Sequence, residues 1–161
     1  MTRFLLVVAL IGAVAVVYLA MHRAWRERAR AQAFVPAPAA FLSGDIIAGP
    51  WSGTYVGAVF SDRWLERVVA HTLGARSLVE MTLTADGINI VRPGELSFGI
   101  PKRDLIGVRA DSSIAGRVYE EGGLVVLSFT AGDVALDAGF RFPSTEDHLA
   151  ALAALAPEVA S

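Results

Sequence analysis

The first thirty residues contain a long apolar run in which hydrophobic and polar positions do not alternate. Residues 4–21 read FLLVVALIGAVAVVYLAM, eighteen residues without a charge. As an α-helix this run is about 27 Å long, close to the thickness of the hydrocarbon core of a bilayer. A helix is favoured over a strand because lipid offers no partner for backbone N–H and C=O groups. The pattern therefore predicts a transmembrane helix from Phe4 to Met21, after an external N-terminus at residues 1–3.

A basic segment follows the apolar run. Residues 22–33 are good helix formers, and this segment is expected to extend the helix into the headgroup region. Only Arg3 precedes the run, so the positive-inside rule places the N-terminus outside and the rest of this single-pass chain in the cytoplasm. The four arginines are interpreted first as topology determinants and second as ligands for anionic lipid headgroups. They are Arg23, Arg26, Arg28 and Arg30.

A secretory signal peptide is the rival interpretation of this segment, because it would share the apolar core and the basic start. The small-x-small cleavage candidate at residues 31–33 lies beyond the arginine cluster, far from the apolar core. An uncleaved anchor is therefore predicted. A buried core helix is disfavoured because the run has no polar face.

Residues 34–50 form a segment that discourages regular structure. It contains Pro36, Pro38 and Pro50 together with two glycines. We interpret it as a tether between the basic segment and a domain at residues 51–156, with a tail at residues 157–161. The tether is more apolar than a fully solvated linker, which indicates that part of it packs on the domain or touches the membrane.

The first strand of the domain is predicted at residues 51–60, because these residues are rich in aromatic and β-branched side chains. Residues 62–73 show helical spacing, with Ser61 or Asp62 as the N-cap and Gly74 as a left-handed cap. The predicted apolar face of this helix comprises Trp64, Leu65, Val68, Val69 and Thr72.

Most of the remaining domain alternates with the period of a strand. Two hairpins are predicted, one from residues 77–84 and 88–92 and one from residues 124–130 and 134–140. Further short strands are expected at residues 96–100, 105–110 and, as a weaker pattern, 116–121. From Ser144 or Thr145 the period becomes helical, with an apolar stripe that ends before Pro157. The stripe comprises Leu149, Leu152, Ala153, Leu155 and Ala156.

These elements define a fold class. The domain is α+β and mainly β, with about seven short strands in a strongly bent antiparallel sheet or open barrel. The C-terminal helix is expected to plug one open end and to bury the edge of the core.

Composition narrows the chemistry that this fold can carry. The chain has no cysteine, which excludes disulfides, cysteine-based zinc and iron–sulfur sites, and thiol nucleophiles. Residues 1–30 hold five arginines and one glutamate, a formal charge of +4, whereas residues 31–161 hold nine basic and fifteen acidic side chains, a formal charge of −6. Nucleic acid is therefore not expected as a partner.

Seven short runs of the domain form a recognisable set: residues 53–57, 64–68, 71–77, 107–109, 115–117, 120–123 and 136–141. They resemble the corresponding runs of a family of small actinobacterial single-pass membrane proteins. These proteins carry a bacterial pleckstrin-homology-like (PH-like) domain and are often labelled as export or transport proteins. The resemblance implies a PH-like sheet with a terminal helix over residues 50–156 and one N-terminal span, and it supplies no catalytic residues.

Candidate catalytic, cofactor and metal residues are not found in the sequence. His22, His71 and His148 are the only histidines, and none has a helical metal-binding partner. His71 is expected to cap a helix or lie on the surface. The glycines form no phosphate-binding loop. Five carboxylates near turns and strand ends could bind a cation or act as an acid–base pair, but are expected to be solvated loop residues: Asp104, Asp111, Glu120, Glu121 and Asp137.

Binding of a phosphorylated lipid headgroup would need a cluster of cations after the first strand. Arg63, Arg67 and Arg76 lie there, but Asp62 and Glu66 are interleaved with them. A protein partner fits better, because a small sheet with an open edge can accept an added strand.

The sequence therefore predicts a membrane-anchored, non-enzymatic interaction or assembly module on the cytoplasmic face, without cofactors, as an accessory to a transport or export system. The alternative is a ligand-binding or hydrolytic domain whose site is built from residues far apart in the sequence.

Overall fold

The computed structural model describes residues 2–159, which divide between residues 34 and 35 into two compact units. The first unit is a single helix, α1 (Thr2–Ala31). Its stretch from Leu6 to Ala24 is long and apolar enough to cross a membrane, with a mean hydropathy of 2.0, and none of it is buried. This stretch overlaps the predicted span Phe4–Met21 and lies two to three residues later. The side chains of Phe4 and Arg28 lie outside the described part of the helix.

The second unit is a bent antiparallel sheet followed by a helix, as predicted. Eight strands form the main sheet, in the order β5-β4-β3-β1-β10-β9-β6, with β2 paired to β1, while β7 and β8 form a separate hairpin. The strands are β1 (Ile46–Phe60), β2 (Arg63–Arg67), β3 (Ser77–Thr84), β4 (Gly87–Val91), β5 (Phe98–Pro101), β6 (Leu105–Asp111), β7 (Ser113–Ile114), β8 (Arg117–Val118), β9 (Leu124–Ala131) and β10 (Val134–Arg141).

Both predicted hairpins are confirmed. β3 pairs with β4 from Thr84↔Gly87 onwards, and β9 pairs with β10 from Ala131↔Val134 onwards, so each has a two-residue turn. The short strands predicted at residues 96–100 and 105–110 are also present, as β5 and β6. The weaker pattern at residues 116–121 corresponds to the two-residue strand β8.

The predicted helix at residues 62–73 is wrong. This segment forms β2 and a single 3-10 turn at Ala70–Thr72. The end of β1 determines this conformation, because the backbone of Ala58 bonds to both Val68 and Leu73. Trp64 and Leu65, predicted to face the core, are exposed. The left-handed residues are His71 and Thr72, not Gly74.

Gly74 is required for close packing rather than as a helix cap. A Cβ atom there would lie 2.4 Å from the carbonyl oxygen of Val68, closer than real Cβ atoms approach backbone. The sequence pattern thus singled out Gly74 correctly, but as a helix cap, whereas the structure needs glycine there for close backbone packing.

The segment predicted as a tether, residues 34–50, contributes to the domain. β1 begins at Ile46, earlier than predicted, and Val35 is buried. Gly99 of β5 donates its N–H to the carbonyl of Ala39 at 2.9 Å. The side-chain amide of Asn89 donates to the carbonyl of Leu42 and accepts from its N–H, as a neighbouring strand would. Val35 and Leu42 thus pack on the domain, as was predicted for part of this segment, whereas Phe41, Ile46 and Ile47 are exposed.

The C-terminal helix, α2 (Thr145–Val159), packs against β6, β1 and β9. Ser144 caps it, since its hydroxyl accepts from the N–H of Asp147 at 3.2 Å. The helix continues through Pro157, where the sequence predicted its end, and an ion pair of Glu158 with Lys102 holds this last turn. The buried face contains Ala151 and Leu155, whereas Leu149 of the predicted stripe is exposed.

A fully buried arginine organises the irregular loop before β3. Arg92 is 1% exposed and its guanidinium lies 4.2 Å from the ring centroid of Tyr55. Burial lowers its pKa and raises that of the Tyr55 hydroxyl. Its side chain donates to four oxygen atoms: the carbonyls of Thr72, Ala75 and Leu96 and the hydroxyl of Ser77. The loop conformation therefore depends on a side chain from the end of β4.

A second, smaller core lies on the other face of the sheet. The β7–β8 hairpin folds over β9 and β10 there and buries Ile114 against Gly139, where a Cβ atom would come within 2.8 Å of the Ile114 side chain. Val56, Val59, Leu124 and Val126 complete the cluster. The hairpin thus covers one part of this outer face and leaves the part beside β3 uncovered.

Candidate functional site

The two ends of the main sheet differ in accessibility. β5 is buried along its whole length because residues 39–42 lie against it. In β6 every residue is at least partly exposed, and Ile106 is 50% exposed. β6 pairs only with β9 among the described residues. We call the outer side of β6 the β6 edge. It offers unpaired backbone groups to an added strand.

A second accessible feature is an open groove on the outer face of the sheet, centred on β1. Its volume is about 420 Å³. Thr54 lies between two cross-strand partners, Arg141 on β10 and Leu78 on β3, and Ser52 pairs with Glu80 in the next row. Small residues of β1 therefore form the floor and larger side chains form the two banks. We call it the β1 trough. Its lining residues are Ser52, Gly53, Thr54, Leu78, Val79, Glu80, Pro93, Arg141 and Pro143.

Arg141 lies on one bank of the trough and is held by the hairpin beside it. Its Nη2 donates to Glu120 at 2.8 Å, and its guanidinium lies 5.9 Å from the ring centroid of Tyr119. This hydrogen bond keeps the pKa of Glu120 below its ordinary value and raises that of Arg141. The Nε of Arg141 is buried without an acceptor among residues 2–159.

The polar network of the outer face centres on Arg109. Its guanidinium donates to Asp137 at 2.9 Å, Ser128 at 2.9 Å and Asp111 at 3.2 Å. Asp137 also accepts from the hydroxyl of Ser61 at 2.8 Å. Burial alone would raise the pKa of Asp111, but N–H donors of the two following serines and Arg109 lower it below its ordinary value. These bonds hold Arg109, Asp111 and Asp137 in fixed positions on the outer face.

The carboxylates singled out in the sequence as candidate site residues lie in different environments. Asp111 and Asp137 come together around Arg109, and Asp137 is buried rather than solvated as predicted. Glu120 pairs with Arg141, and Asp104 lies 3.6 Å from Arg103. No group of three or more His, Asp or Glu side chains able to hold a metal occurs in the part of the chain that the structure describes.

The predicted basic residues and histidines are dispersed. Arg63 pairs with Asp62 and Glu66, so its charge is balanced within β2 and the turn before it. His71 is on the surface, as predicted, with its Nε2 3.0 Å from the carbonyl oxygen of Val35. On α1, Arg23 pairs with Glu27. Arg26 and Arg30 are exposed, and their roles in topology and lipid binding stay predictions.

Sequence reasoning missed the β1 trough and the role of Arg92. The trough combines residues of β1, β3 and β10, whose register the sequence does not reveal. The exposed Leu78 in an alternating strand was the one available signal, because its side chain lies on the face otherwise occupied by Glu80.

A bent antiparallel sheet with a C-terminal helix packed on its edge strand defines the PH-like class of domains. Residues 31–156 match a family model described as bacterial PH domain-like, and the chain belongs to this family. The match agrees with the domain expected from the sequence and extends it to residues of the predicted tether. No curated protein matches the chain.

Proposed function

We propose that the chain is a membrane-anchored, non-enzymatic module whose PH-like domain holds a partner protein at the cytoplasmic face. α1 supplies the anchor in this proposal. Its apolar stretch is long enough to span and is followed by the arginine cluster, which favours a cytoplasmic domain. In an export system a chain with this one span would act as an accessory subunit.

The β6 edge is the single observation that carries the interaction part of this proposal. An extended segment that pairs with an exposed edge gains main-chain hydrogen bonds without a deep pocket. The opposite end of the sheet is covered by the chain's own residues 39–42, whereas every residue of β6 stays at least partly exposed although α2 packs against this strand. The acidic balance of residues 31–161 favours a basic partner segment.

Photo-crosslinking in cells tests this proposal. A photoreactive amino acid at Ile106 or Ala110, both exposed on β6, is expected to yield a discrete adduct with a second polypeptide. The same group at Ala85, exposed in the turn after β3, serves as the matched control and is expected to yield none. Absence of adducts at both β6 positions, or equal adducts at Ala85, would contradict partner binding at the β6 edge.

A further inference from the structure

We propose that the β1 trough is a second docking site, which binds an extended segment of a partner protein with an apolar side chain flanked by a lysine or arginine. This inference goes beyond the β6 edge, since β10 and β9 separate β1 from β6 in the sheet. The occupant follows from the shape, the charges and the spacing of the trough.

The shape of the trough favours an extended chain. Its floor is made of Ser52, Gly53 and Thr54, three small residues in succession along one strand. No side chain projecting from β1 therefore blocks its length. Leu78, on the β3 bank, is 70% exposed and offers an apolar contact to a passing side chain. Ligand grooves combine such apolar contacts with a small number of polar groups.

The polar groups of the trough match a peptide backbone. The hydroxyls of Ser52 and Thr54 line the trough and make no hydrogen bond among the residues the structure describes. Backbone carbonyl groups are neutral acceptors, so they can bind these donors without adding negative charge. The anionic side chains beside the trough, Glu80 and Glu120, disfavour a phosphate or another dianion.

The charge and spacing of residues on the β3 bank determine which side chains the bound segment carries. Glu80 has no ion pair within residues 2–159 and lies two residues after Leu78 on the same face of β3. In an extended chain, residues i and i+2 also share a face and lie about 7 Å apart. A bound segment with an apolar residue opposite Leu78 therefore places the residue two positions away opposite Glu80. A lysine or arginine at that position would pair with the Glu80 carboxylate.

Synthetic peptides test the inference with the full chain in uncharged detergent micelles. The capped octapeptide STKTLTKS has a lysine two positions before its leucine and another two positions after it. With the leucine opposite Leu78, one lysine therefore lies opposite Glu80 in either direction of the peptide chain. It is expected to shift the amide NMR signals of Ser52 and Thr54 and to bind at least tenfold more tightly than STETLTES and STKTSTKS. No shift at 2 mM peptide, or equal binding of all three, would overturn the proposal.

A charge exchange separates specific docking from general attraction to an acidic domain. Glu80→Lys is expected to weaken binding of STKTLTKS at least tenfold and to strengthen binding of STETLTES. Asp133→Lys, the matched control in the exposed β9–β10 turn, changes the net charge equally and is expected to alter binding less than threefold. Equal effects of both substitutions would contradict the assignment.

The two proposals can fail separately. If only the trough assignment is wrong, the Glu80→Lys chain keeps its adducts at Ile106 and Ala110 and the peptides show no preference. If only the β6 edge assignment is wrong, those adducts are absent while the peptides still distinguish Glu80 from lysine.

Discussion

Replacement of Arg92 by leucine is expected to lower the free energy of unfolding of the domain by about 3–5 kcal/mol. The guanidinium donates to the carbonyls of Thr72, Ala75 and Leu96 and to the hydroxyl of Ser77, and leucine can replace none of these bonds. Relief of the desolvated charge offsets only part of this loss, because the three carbonyls belong to the backbone and remain. Since small domains are stable by about 5–15 kcal/mol, the loss is a large fraction of the total.

Urea unfolding of the full chain in detergent, followed by near-UV circular dichroism, measures this effect. Arg76→Leu is the matched control, because Arg76 lies in the same loop but is exposed. Its effect is expected within about 0.5 kcal/mol. Arg92→Lys is expected to fall between the two, since one ammonium group cannot span four separated acceptors. A loss for Arg92→Leu as small as that for Arg76→Leu would contradict the role given to Arg92.

Two arginines in the centre of α1 are expected to release the chain from the membrane. Val14 and Val17 lie within the apolar stretch Leu6–Ala24, and both are exposed in the isolated helix. Each arginine at the centre of a span costs about 2.5–3.5 kcal/mol. The double substitution Val14→Arg and Val17→Arg therefore disfavours insertion by about 5–7 kcal/mol, or roughly four to five powers of ten.

Alkaline extraction of membranes measures the outcome. The unchanged chain and the control Val14→Leu with Val17→Leu are expected in the membrane pellet, and the double arginine variant in the supernatant. Recovery of the arginine variant in the pellet, or extraction of the unchanged chain, would contradict anchoring by α1.

The strands were predictable where the alternation of side chains is local and continuous. β3 extends over exactly the predicted residues 77–84, and the β9–β10 hairpin differs from its prediction by one residue at the end of each strand. In these segments a two-residue period and a short turn are sufficient, because each strand pairs with its neighbour in sequence. The fold class followed from the same pattern.

β2 was not predictable in the same way. Its apolar residues have helical spacing, yet β2 pairs with the end of β1, and the residues that follow it are held by backbone bonds from Ala58 to Val68 and Leu73. Arg92 was missed for a related reason. An arginine at the end of a strand is ordinarily exposed, and its acceptors become apparent only when the loop at residues 72–75 is in place. The trough likewise depends on three strands that are distant in sequence.

Membrane topology is the most direct test of the central claim, that α1 anchors a PH-like domain at the cytoplasmic face. A pair of reporters, one active only in the cytoplasm and one only outside, would be fused after residue 161, and the N-terminus of the chain sequenced. The account predicts cytoplasmic activity and an intact N-terminus. External activity, or a mature chain that begins near residue 34, would contradict the account and identify α1 as a signal sequence or an anchor of opposite orientation.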